Sequence, residues 1–134
     1  MFDTVKKTGN GAMAHAALNG PLTAEEVWLG FKPMDFREGG DILKVTEAYL
    51  KEDRREVMVR ALTVERGIRR TFYFRVAQKE ASLSLTVDSF GSPEQTPGLR
   101  RLLALCAWVI LQSDHRMELG NSDVSDLVRA PEAT

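Results

Sequence analysis

Residues 57–76 read VMVRALTVERGIRRTFYFRV, and the way they alternate decides the fold. Valine and threonine, which suit a pleated strand, recur on both sides of Arg66-Gly67, and three aromatic residues follow it. That pair reads as a two-residue hairpin turn, because glycine at its second position accepts the positive φ such a turn demands. Glu65 then pairs with Ile68, Ala61 with Phe72, Val59 with Phe74 and Val57 with Val76. One face collects these apolar side chains. The other carries Met58, Arg60 and Leu62 beside Arg69, Thr71, Tyr73 and Arg75. A slip of one residue would send the whole apolar set to the wrong face.

The pattern extends in both directions. Lys79-Glu80 reads as a second two-residue turn into ASLSLTVDSF (81–90), pairing Val76 with Leu83, Phe74 with Leu85 and Phe72 with Val87. Upstream, DILKVTEAYLKED (41–53) reads as a strand of divided parity. Leu43, Val45 and Tyr49 share one face, and Ile42, Thr46, Ala48 and Leu50 share the other. KPMDFREGGD (32–41) reads as a connecting loop. Gly39-Gly40 precedes a strand rather than a helix, so it builds no phosphate cradle.

Helices flank the strands. In PLTAEEVWLGFKP (21–33), Thr23 and Glu26 have the spacing of a capping box, with Leu22 and Val27 as its hydrophobic staple. Pro33 stops the helix, which should turn Val27, Trp28 and Phe31 inward. In the second, Thr96 suits an N-cap and Pro97 the first helical position, predicting a helix over 97–112. From 102 to 111, LLALCAWVIL, it has no polar side chain. Such a helix must be covered on more than one side, and a second protomer is one candidate cover.

The expected fold is α+β: a four- or five-stranded antiparallel meander, a short N-terminal helix, and a long apolar C-terminal helix packed on one face. Its core should hold Val57, Val59, Phe72, Phe74, Val76, Leu83, Leu85, Val87, Leu102, Leu103 and Trp108. Residues 1–20 read as a loose leader with at most one weak strand near 12–18, residues 21–116 as a single domain, and residues 117–134 as a partly disordered tail.

The 134 residues are enough for one real core. The net charge is −1, although residues 51–80 hold nine basic against five acidic residues. Cys106 is the one cysteine, so no internal disulfide framework exists. The first twenty residues lack a signal peptide's apolar segment, and the run 102–111 is too short to span a bilayer. A cytoplasmic protein with no membrane association is expected.

Catalytic, cofactor and metal motifs do not emerge. His15 lies in the leader and His115 past the last helix. Cys106 reads as a small buried hydrophobe. Asp35, Glu38 and Asp41 read as a solvated acidic loop rather than a cation site. Arg100 and Arg101 share the first turn of the last helix, where they would swing into water or meet an anion. No cofactor is expected.

Two surfaces remain. Met58, Arg60, Leu62, Arg69, Tyr73 and Arg75 form a mixed aromatic, methionine and arginine face typical of interface cores, which points to self-association. Arginine beside an aromatic ring also suits single-stranded nucleic acid. The net charge and the lone ring on that face argue against this partner, and Glu47, Glu56 or Asp88 could pair with the arginines. The second is a space between sheet and last helix, which Trp28, Phe31, Phe72, Phe74, Cys106 and Trp108 could line. LTAEEVWLGF, then strands, then a last helix resembles in order the helix-grip, lipid-transfer and polyketide-cyclase-like domains. The likeness is one of topology, with four clear strands where those domains have more. It implies a pocket and a hydrophobic small molecule, held by a carrier or a cyclase-like enzyme. The leading expectation is a non-catalytic binding or interaction module that forms a homodimer.

Overall fold

A computed structural model describes residues 13–89 and 93–132. Among them the chain forms β1 (His15–Asn19), α1 (Ala24–Leu29), β2 (Met34–Glu38), β3 (Asp41–Leu50), β4 (Glu56–Glu65), β5 (Ile68–Gln78), β6 (Ser82–Val87), α2 (Pro97–Ser113) and β7 (Glu118–Ser122), then a 3-10 turn at Ser125–Leu127. The strands make one antiparallel sheet in the order β2-β3-β4-β5-β6-β1-β7, curled into a half-barrel around α2.

This corrects the expected four- to five-stranded meander: the sheet has seven strands. MDFRE and ELGNS are not expected as strands, and HAALN at most as a weak one near 12–18; all three are five residues long and lack β-branched side chains. Neighbours stabilise them more than propensity does. β1 lies between β6 and β7 with Leu18 wholly buried, inside the stretch read as a loose leader. Residues 1–12 of that stretch lie outside the described residues. β2 lies inside the stretch read as a loop. It pairs Glu38 with Asp41 across Gly39-Gly40, both at positive φ (60° and 87°), the conformation of a primed two-residue hairpin turn.

The hairpin at Arg66-Gly67 has the expected register, from Glu65–Ile68 to Val57–Val76. The next does not. Val76 pairs with Leu85, Phe74 with Val87 and Gln78 with Leu83. The register differs by two residues, which leaves every side chain on its expected face. Alternation is blind to such a shift. The divided parity of β3 also has a cause. A bulge between Val45 and Glu47 sets Val45 against Ala61 and Ala48 against Val59, and both are core-facing partners. The extra residue inverts the strand's alternation partway along.

α1 carries the full capping box: Glu26 N donates to Thr23 Oγ1 at 3.1 Å and Thr23 N donates to Glu26 Oε1 at 3.0 Å. Trp28 does not turn inward. It is 36% exposed, and its indole N–H donates to the Ala48 carbonyl at 3.2 Å. An indole needs an acceptor for that N–H, which favours the rim of a core over its centre.

α2 is fastened at its N-terminal end. Thr96 Oγ1 accepts from Leu99 N at 3.1 Å and donates to Glu65 Oε2 at 2.6 Å, while Gly98 N donates to Glu65 Oε1 at 2.8 Å. A carboxylate here complements the helix dipole. Gly98 permits the approach, since a Cβ there would collide with the Glu65 carboxylate. Arg101 grips Glu38 in a two-pronged pair, both distances 2.8 Å. It also donates to the carbonyls of Leu127, Arg129 and Ala130. Arg100 binds Asp123. Neither arginine therefore swings into water.

All the expected core residues are buried except Trp108, which is half-buried. The apolar helix is covered by the sheet on one side. On another lie Met117 and Val124, buried, with Leu127 and Val128 packed against the core. The chain's own C-terminal segment thus supplies cover for which a second protomer was one candidate. No helix among the described residues is long and apolar enough to cross a membrane.

Candidate functional site

A cavity of about 380 Å³ lies between α1, the middle of the sheet and the C-terminal half of α2. Its floor is Val45, Val59, Phe74, Val76 and Leu85, all on the core face of β3 to β6. α2 contributes Cys106, Val109 and Ile110; α1 and its flanks contribute Leu22, Val27, Phe31 and Met34. Glu26, Gly30, Lys32, Pro33 and Ser113 also line it and are exposed, so they mark the mouth.

Local sequence explains the gap. The capping box starts α1 and Gly30 ends it after six residues, so α1 shields only a short span of sheet. The floor around Phe74 is three valines and Leu85, short side chains for the most part. The two tryptophans that could have filled it sit elsewhere: Trp28 at the rim and Trp108 half-buried on another side of α2.

Of the residues expected to line a pocket, the structure brings Phe31, Phe74 and Cys106 to the wall. Trp28, Phe72 and Trp108 are not among the lining residues. Phe72 is buried beside Phe74, with ring centroids 5.4 Å apart and planes tilted by 57°. Val59, Val76 and Leu85 were legible as core-facing. Nothing in their alternation distinguishes a cavity floor from filled core. Leu22, Val27, Met34, Val45, Val109 and Ile110 were not read as lining.

The wall offers little acid–base chemistry. Burial pushes the Cys106 thiol up to about 12, so it stays neutral and weakly reactive. Glu26 is engaged in the capping box, and the Ser113 hydroxyl donates to the Ile110 carbonyl at 2.6 Å. Lys32 makes no hydrogen bond or ion pair among the described residues.

The outer face of the sheet has a different character. Arg60 lies opposite Tyr73 and Met58 opposite Arg75. Arg75 sits between Glu56 (3.1 Å) and Asp88 (2.8 Å). Arg60 donates to Thr46 Oγ1 at 3.3 Å. Leu62 is only 7% exposed yet lies apart from the main core. Arg69 is exposed. Tyr49, opposite Met58 and 48% exposed, adds a second ring to this face. It was missed because the bulge reverses its side.

The other candidates are dispersed. Asp35 pairs with Arg37 and Lys44; the hydrogen bond from Arg37 first, and then the two positive charges, hold its carboxyl below the usual value. Glu38 belongs to Arg101, so the acidic loop is no ligand set. No metal-holding cluster of three His, Cys, Asp or Glu exists among the described residues. Asp114 is bound by Arg116, at 2.6 Å, and held down to about 2. His15 Nδ1 lies 3.5 Å from Asp123, and His115 is exposed. No protein-family model matches the chain, and no curated protein or solved structure matches it either.

Proposed function

We propose that the protein is a non-catalytic binding module that holds a small apolar molecule between its sheet and its C-terminal helix. One observation carries this reading: an apolar-walled cavity of about 380 Å³ between the sheet and the C-terminal helix, with exposed residues at its mouth. Ligand pockets run from roughly 300 to 1,000 Å³ and pair apolar walls with a few polar groups. Close-packed interiors leave few voids larger than a water molecule. Binding is favoured over catalysis because Cys106, the titratable group deepest in the wall, stays a neutral thiol. The test is titration with a neutral, environment-sensitive naphthylamine dye, alongside native mass spectrometry of the purified protein. Saturable dye binding, displaced by decanol, is expected. No dye binding and no co-purified ligand would remove the proposal.

Self-association is a second reading, favoured by the outer strip of Tyr49, Met58 and Tyr73. Of its arginines, Arg75 is engaged by the carboxylates of Glu56 and Asp88 of the same chain, which disfavours a nucleic-acid partner. Light scattering at low micromolar concentration tests it, and a strict monomer would remove it.

A further inference from the structure

We infer that the cavity's ligand is an amphiphile with one acidic head, whose apolar chain enters the cavity while the head meets Lys32 at the mouth. This inference rests on the cavity reading above and adds polarity and direction to it.

The polar or titratable side chains of the lining are Glu26, Lys32, Cys106 and Ser113. Ser113 spends its hydroxyl on the Ile110 carbonyl. One Glu26 oxygen accepts from both Thr23 donors, and the charge of Arg116 lies near. Cys106 is buried, uncharged and set among apolar neighbours. Lys32 is the lining cation, exposed where the wall ends and without a partner among the described residues.

A wholly apolar ligand would leave this ammonium unused. A cationic head would meet it as a like charge. An acidic head leaves the chain in the dry interior and the charge pair at the wet edge, so neither charge needs burying. A carboxylate, phosphate or sulfate would serve, because lysine acts as a point charge rather than a planar fork.

Decanoate and decanol share a chain and differ in the head. Each is used to displace the neutral dye from the wild type and from Lys32→Gln. The contact is at the surface, so the expected effect is modest. Lys32→Gln should weaken decanoate about threefold and leave decanol unchanged, and added salt should weaken decanoate on the wild type alone. If decanol and dye bind but Lys32→Gln shifts decanoate and decanol equally, or neither, the head-group inference fails while the cavity reading stands. If neither dye nor decanol binds the wild type, the cavity reading fails and takes this inference with it.

Discussion

The two ends of α2 are built on opposite plans. In its first turns nearly every polar group has a partner: Glu65 sits on the helix N-terminus, Asp123 holds Arg100, and Glu38 holds a buried Arg101. Around Cys106, Val109 and Ile110 the helix instead faces open apolar space. A helix pinned at one end by directional bonds does not need close packing at the other to keep its place. The anchored end supplies the rigidity and the loose end supplies the room.

The comparison breaks most sharply at Arg101. Arg101→Met leaves the mostly buried Glu38 carboxylate without its counter-charge, with only the Glu132 N–H still donating to it, and should cost about 3 kcal/mol in urea unfolding. A cost below about 1 kcal/mol would mean that the anchor is not there. The same pair makes a pH prediction. Arg101, by hydrogen bonding first, holds the Glu38 carboxyl below its ordinary value of 4.5. A group whose folded value is depressed stabilises the fold above its unfolded value, and that stability fades as pH falls through the folded one. Glu38→Gln should flatten the acid limb of the stability profile below about pH 4.5; an unchanged limb would assign acid sensitivity elsewhere.

Glu65→Ala is a smaller blow to the same end. It strips an acceptor from the Gly98 N–H and from the hydroxyls of Thr96 and buried Thr63. The expected loss is about 1–2 kcal/mol, seen as a lower urea midpoint with an unchanged slope. The loose end is probed by two substitutions on one strand. Val57 is fully buried outside the cavity wall, whereas Val59 lies in the cavity floor. An added methylene in close-packed core costs about 1–3 kcal/mol, so Val57→Leu should pay that penalty. Val59→Leu points into open space and should fall within about 0.5 kcal/mol of zero while weakening dye binding. Equal penalties at both positions would mean that the cavity is filled core.

How much of this was legible follows from the range of each rule. The Thr23–Glu26 box, the Thr96 cap and the Arg66-Gly67 turn depend on residues within a few positions, and each stands as read. The Lys79-Glu80 turn failed because two residues of slip conserve the face. The observed β5–β6 register needed Gln78 and Leu83 to be seen together. β2 was hidden because Gly39-Gly40, a hairpin signal, was weighed only as a phosphate loop. In the candidate site, Phe31 and Phe74 were legible as apolar residues near one another. Trp28 misled because volume and apolarity say nothing of where an indole N–H will find its acceptor, here the Ala48 carbonyl.

The sequence by itself determined which side chains of β4, β5 and β6 share a face, where both helices begin and where the first central hairpin turns. Each of these is a local matter of period, cap or dihedral. Only the tertiary structure decided that β1 slots between β6 and β7, that a bulge reverses β3, and that α1 and α2 meet the sheet without closing the space between them. Strand order is set by which edges need partners. A cavity is a volume left over when all elements are in place, so no stretch of sequence encodes it alone.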